Sequence, residues 1–166
     1  MKAEYINPFI ISVTELFESM LECTVKMGTP GIAAHDDGVP DIIGVIGLSG
    51  TAQGTVALKL PVKTALKVVG QMVGTKFKSV DSSIIDGIGE LVNIIAGNAK
   101  GRFEGHKISV SLPTVVRGNI YTLNNIENAI YLSVPFESKL GNFSLLVTFK
   151  PNEIMEKEAV HADSHS

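Results

Sequence analysis

The run Asp86-Gly-Ile-Gly-Glu90-Leu-Val-Asn93-Ile-Ile-Ala-Gly97-Asn-Ala-Lys100 constrains this chain more tightly than any other stretch. At about 100° per residue it separates into two faces. Ile84, Ile85, Ile88, Leu91, Val92, Ile95 and Ala99 fill one arc, which predicts a helix lying on a core. Asp86, Glu90, Asn93, Gly97 and Lys100 fall in the opposite arc, a stripe roughly 80° wide. The spacing predicts a helix from about Asp81 to Phe103, with Glu90 and Asn93 presenting a carboxylate and a carboxamide one turn apart. Gly87, Gly89, Gly97 and Gly101 surround that pair. Each costs a helix about 1 kcal/mol relative to alanine. So many glycines beside a polar stripe point to another surface approaching closely.

Other elements follow from local signals. Asn7-Pro8 predicts a helix start, with Asn7 as cap and Pro8 in the first turn. Phe9, Val13, Phe17, Met20 and Leu21 carry that helix to about Lys26, and Gly28-Thr-Pro30-Gly31 stops it. Ile32 to His35 starts a strand, ended by an Asp36-Asp37-Gly38 turn. Asp41 to Ser49 reads as a buried strand, joined through Gly50 to Gly54 to a return strand, Thr55 to Leu60. Pro61 opens a second helix carrying Ala65, Leu66, Val68, Val69 and Met72. Past the long helix, strands are expected over Ile108 to Leu112 and Val115 to Tyr121, then an Asn124-Asn125 turn. A second hairpin runs from Ala129 to Pro135 and from Asn142 to Phe149. One domain over residues 1–151 is expected, with a polar tail over 152–166.

Glu15-Leu-Phe-Glu18-Ser-Met20 aligns with Glu90-Leu-Val-Asn93-Ile-Ile95. Each is followed by a short strand near a proline (Pro30, Pro113) and then a hairpin whose return strand begins just after a glycine (Gly54, Gly141). Two such copies predict an α+β fold: an antiparallel sheet packed against helices, in two pseudo-repeated helix-plus-hairpin halves.

Composition narrows the function. With 166 residues, 45% of them hydrophobic and 19% charged, the chain can bury a core of its own. A net charge of -3 argues against nucleic-acid binding. The single cysteine, Cys23, excludes an intramolecular disulfide and fits a reducing compartment. His35, His106, His161 and His165 lack ligand spacing, so no metal of its own is expected. No basic-plus-apolar leader opens the chain, and no apolar run approaches ~18 residues, so no membrane role and a cytoplasmic setting are expected.

Glu90-x-x-Asn93, with Asp86 before it, Gly97 after it and Ser111-Leu-Pro113 downstream, resembles the CheC/CheX/FliY family of chemotaxis phosphatases. Tyr5-Ile-Asn-Pro8-Phe9, Ile46-Gly47-Leu-Ser-Gly50 with Gly54, Val134-Pro135-Phe136 and Gly141-x-Phe143 extend the likeness over about residues 5 to 150. Family members with two sites carry Glu-x-x-Asn on each repeat; here the first helix has Glu15-x-x-Glu18, which reads as a decayed site. That departure points to the CheX branch and implies a homodimer, through strand edges.

The resemblance implies a phosphatase that hydrolyses the aspartyl phosphate of a CheY-like response regulator. Asn93 would orient the attacking water, and Glu90 would dock on the regulator's active-site lysine; Glu90 as a general base is the competing role. Asp86, Gly97 and Lys100 would border the partner. Mg²⁺ would be supplied by the phosphorylated regulator. The alternative is a non-catalytic module that binds a regulator or a chemotaxis adaptor. Without the resemblance, the stripe reads as a solvated helix face, the glycines as packing sites, Pro113 as a strand terminator and Asn98 as locally bonded.

Overall fold

The computed structural model describes residues 3–33, 40–118 and 130–151. The expected turns at Asp36-Asp37-Gly38 and Asn124-Asn125, the strand ends at His35, Tyr121 and Ala129, and the tail 152–166 lie outside the described residues.

Three helices, α1 (Ala3–Leu21), α2 (Val62–Val73) and α3 (Ser82–Lys100), pack on one face of an antiparallel sheet. Its strands are β1 (Lys26–Met27), β2 (Gly31–Ile32), β3 (Asp41–Gly50), β4 (Ala52–Leu60), β5 (Ile108–Val110), β6 (Thr114–Gly118), β7 (Leu132–Glu137) and β8 (Phe143–Pro151). They run in the order β1-β7-β8-β4-β3-β5, with β2 also on β7 and β6 also on β3. This is the α+β, antiparallel architecture that the sequence predicts.

The order reads the same from both ends once β1 and β2 are matched with β5 and β6, β3 with β7, and β4 with β8. The pseudo-twofold axis passes through the Ala57↔Leu146 pair, and it exchanges Thr55↔Thr148 with Lys59↔Ser144. Register carries the match to the edges. Met27↔Phe136 corresponds to Val110↔Leu48, and Gly31↔Ser133 to Thr114↔Val45. Between them, Gly28 N–H donates to the Pro135 carbonyl (2.8 Å) as Ser111 N–H donates to the Gly47 carbonyl (2.9 Å). Pro30 and Pro113 are therefore equivalent, as expected. Gly54 and Gly141 are not: the register matches Gly54 with Phe143, and β4 already begins at Ala52. Each half lends its two short strands to the hairpin of the other half.

Alternation along the strands sends Ile42, Ile46, Leu48, Val56, Leu58, Leu60, Val134, Phe136, Leu145 and Val147 into the main core beneath the helices. The opposite face carries a second buried cluster, Ile43, Ala57, Tyr131 and Leu146, whose members are pairwise equivalent across the axis.

The first helix departs from expectation at both ends. It starts at Ala3, so Asn7 is not its cap and Pro8 lies inside it. Pro8 is the sixth residue of the helix, about one and a half turns in, where its missing N–H removes a single ladder bond. Ile6, nearly fully buried, and Tyr5, packed 4.9 Å from the Phe149 ring, stabilise the added turn. The helix ends at Leu21, before Lys26, because Glu22 turns left-handed (φ 49°) and Cys23 N–H donates back to the Phe17 carbonyl (2.9 Å). The freed segment forms β1, where the periodicity had implied helix.

Candidate functional site

α3 is fixed at its start by Asp81, whose side chain accepts from Ser83 N–H (2.9 Å) and Ile84 N–H (3.2 Å). Lys100 in the last turn complements the helix dipole. Between these ends, Ile84, Ile88, Leu91, Val92, Ile95, Ala96 and Ala99 are buried. Two small residues let the helix sit low. A Cβ on Gly44 of β3 would fall 3.0 Å from Ile88 Cγ2 and 3.2 Å from Val92 Cγ1. A Cβ on Gly87 would fall 2.7 Å from Val69 Cγ1 of α2. The glycines of the helix thus divide by role: Gly87 serves packing within the chain, and Gly89 tucks beside Val115 and Pro113.

The opposite stripe faces outward. Asp86, Glu90 and Lys100 are exposed, and Asn93 and Gly97 are half-buried. Neither Glu90 nor Asn93 has a side-chain hydrogen bond or ion pair with another described residue. A Cβ built on Gly97 would meet nothing within 4 Å. The result is one turn of helix with a carboxylate, a carboxamide and open space beyond them. Asn98 is also exposed, and its side chain bonds to no described residue, contrary to the local bond expected of it.

The equivalent face of α1 differs. Glu15 is bound by Arg102, which follows α3, while Glu18 is exposed. Arg102 is a partner that the sequence reading did not find, since the pair joins residues remote in the chain. Among the described residues no group of three or more His, Cys, Asp or Glu is placed to hold a metal ion. His106 instead lies 3.3 Å from Thr51 Oγ1. No helix among them is long and apolar enough to cross a membrane.

Residues 42–137, more than half of the chain, match the family model for the chemotaxis phosphatase CheX. The chain belongs to the CheX family. Its α3 with Glu90 and Asn93, and the strands β3 to β7 except Asp41, lie within the matched region. The CheY-P phosphatase CheX of Thermotoga maritima is 33% identical over 121 residues, which are 71% of this chain and 78% of that protein. Among solved CheX-type folds, the CheC-like superfamily protein of Shewanella sp. PV-4 superposes with a TM-score of 0.77 at 25% identity, covering 90% of this chain and 99% of the other. CheX in the CheX–CheY–BeF3–Mg complex of Borrelia burgdorferi superposes with a TM-score of 0.75 at 23% identity, again covering 90% and 99%.

Proposed function

We propose that this chain is a phosphatase hydrolysing the aspartyl phosphate of a CheY-like response regulator, with Asn93 as the residue that orients water and Glu90 as the residue that docks. The observation that carries this reading is the outward-facing pair on α3, one turn apart and without partners among the described residues, beside the open space at Gly97. Its relative from T. maritima is a CheY-P phosphatase, and the B. burgdorferi relative has been seen with CheY, BeF3 and Mg, which supports the same partner class here.

Hydrolysis of an acyl phosphate needs little covalent help. A water oxygen bonds to phosphorus as the bond to the aspartyl oxygen breaks; the carboxylate leaves as an anion, and the water protons stay with the released phosphate. The barrier falls when that water is held in line with the breaking bond. A carboxamide suits the task, because it is neutral and both donates and accepts, so Asn93 can hold water without repelling the phosphoryl group. Glu90, an exposed carboxylate one turn away, pairs with the regulator's lysine and sets the depth to which Asn93 enters. A second anion at the phosphoryl group would be poorly placed without such a cation, which favours docking over general-base catalysis for Glu90. Asp86, Gly97 and Lys100 form the border of the contact. Mg²⁺ belongs to the regulator, where it offsets phosphoryl charge.

The phosphatase unit is read as a single domain over residues 1–151, acting as a homodimer in the cytoplasm. The test is phosphate release from a Mg²⁺-loaded, phosphorylated CheY-like regulator with and without this chain. Wild type accelerates release, and Asn93→Ala removes the acceleration while still binding the regulator. Equal release by wild type and Asn93→Ala would exclude the assignment, and binding without acceleration by wild type would leave a docking module.

A further inference from the structure

Leu112 is 88% exposed, more than any other large apolar side chain among the described residues. Its loop is not loose. Ser111 N–H donates to the Gly47 carbonyl (2.9 Å), Gly47 N–H donates to Ser111 Oγ (2.8 Å), and that hydroxyl donates to the Leu112 carbonyl (3.0 Å). On the other side Pro113, with its restricted φ, rests against α3: a Cβ on Gly89 would lie 3.7 Å from Pro113 Cγ. Gly89 directly precedes Glu90 and stands one turn before Asn93. The loop therefore runs along the edge of the polar stripe and holds an apolar side chain in water there.

The pseudo-repeat supplies a comparison within the same molecule. Because Gly28 matches Ser111 and Pro30 matches Pro113, Thr29 is the counterpart of Leu112, and it is exposed as well. The half that keeps Glu90 and Asn93 carries leucine at this place. The half that reads Glu15 and Glu18, with Glu15 taken by Arg102, carries threonine. The apolar residue accompanies the intact pair.

We infer that Leu112 is an apolar anchor for the phosphorylated regulator, seating against an apolar patch beside the pocket that Asn93 enters; this rests on the function proposed above. The polar stripe provides direction but little apolar area, and contact energy concentrates in the few side chains that lose all their water on docking. The hydrogen bonds of Ser111 and the contact of Pro113 already hold the backbone on either side of Leu112, so seating its side chain carries little backbone ordering cost.

The test uses the full chain as wild type, Leu112→Ser, Leu112→Met and Asn93→Ala. Two quantities are read: phosphate release against the concentration of a Mg²⁺-loaded phosphorylated CheY-like regulator, and direct binding to the same regulator loaded with BeF3⁻. Leu112→Ser raises KM and weakens binding roughly ten-fold, leaves kcat and thermal stability essentially unchanged, and is largely rescued by Leu112→Met. An unchanged KM for Leu112→Ser, beside an inactive Asn93→Ala, overturns the anchor and leaves the function standing. A Leu112→Ser variant that loses self-association with no change in affinity per site also overturns it and gives the leucine to a second copy of the chain. An Asn93→Ala variant as active as wild type overturns the assigned mechanism, while the BeF3⁻ binding arm still decides on Leu112. A wild type that neither binds nor dephosphorylates overturns both.

Discussion

The guanidinium of Arg102 donates to the carboxylate of Glu15, so the first-half counterpart of Glu90 is already engaged within the chain. Glu18→Asn would restore the spelling Glu-x-x-Asn on α1 without freeing its glutamate. Phosphate release per chain is therefore expected to stay at the wild-type rate in Glu18→Asn. Only Glu18→Asn combined with Arg102→Ala gives a second exposed Glu–Asn pair. Breaking this largely solvated pair costs less than about 1 kcal/mol, so the double variant remains folded for the assay. A gain in rate from Glu18→Asn alone would show that the ion pair does not hold Glu15 back.

Glu90→Gln separates docking from base catalysis. The amide keeps the shape and loses the charge proposed to pair with a lysine. Affinity for the regulator is expected to fall about 30-fold or more, in line with loss of one partner of a buried charged contact, while the rate at saturating regulator stays within a few-fold. Loss of a general base instead lowers the saturated rate by about 10²–10⁴-fold. A collapse of that size in a concentration series would assign base chemistry to Glu90.

Gly87→Ala is expected to destabilise the fold. The added methyl falls 2.7 Å from Val69 Cγ1 and 2.8 Å from Cγ2, within a packed helix pair. Overpacking of this kind costs about 1–3 kcal/mol. The checking measurement is a denaturant melt, in which Val69→Ala recovers part of the loss when combined with Gly87→Ala. Additive effects would mean that the two helices part without contact at this point.

Gly97→Ala should behave in the opposite sense. Its methyl enters open space on a helical backbone, so about 0.5–1 kcal/mol is gained from reduced freedom of the unfolded chain. The same methyl occupies the surface proposed to meet the regulator, and binding to the BeF3⁻-loaded regulator is expected to weaken. Higher stability with unchanged binding would remove Gly97 from the contact.

The two faces of α3 were legible in the sequence because the helix is long, capped by Asp81 and strictly periodic, so burial of Ile88 or exposure of Glu90 followed from angle alone. The ends of α1 were not. Proline and asparagine usually mark a start, but here tertiary contacts of Tyr5 and Ile6 extend the helix beyond them. At the other end a glutamate takes the left-handed position that glycine normally signals. β1, two exposed residues long, has no period to detect and exists only because β7 offers it an edge. At the site, the Glu–Asn pair was readable as spacing. Ser111-Leu-Pro113 was readable as part of the family likeness and Pro113 as a strand end, but not its place beside Gly89 or its hydrogen bonds to Gly47, which come from residues far away in the chain.

The crossing-over of short strands between the halves has a consequence for how such a protein changes over time. A half whose chemistry has lapsed cannot simply be discarded, because it still supplies an edge to its neighbour's hairpin and half of the seam at Ala57 and Leu146. Selection can let exposed positions such as Glu18 on α1 and Thr29 between β1 and β2 vary, while the strands must keep their register. The first half is thereby the frame on which the second is stretched.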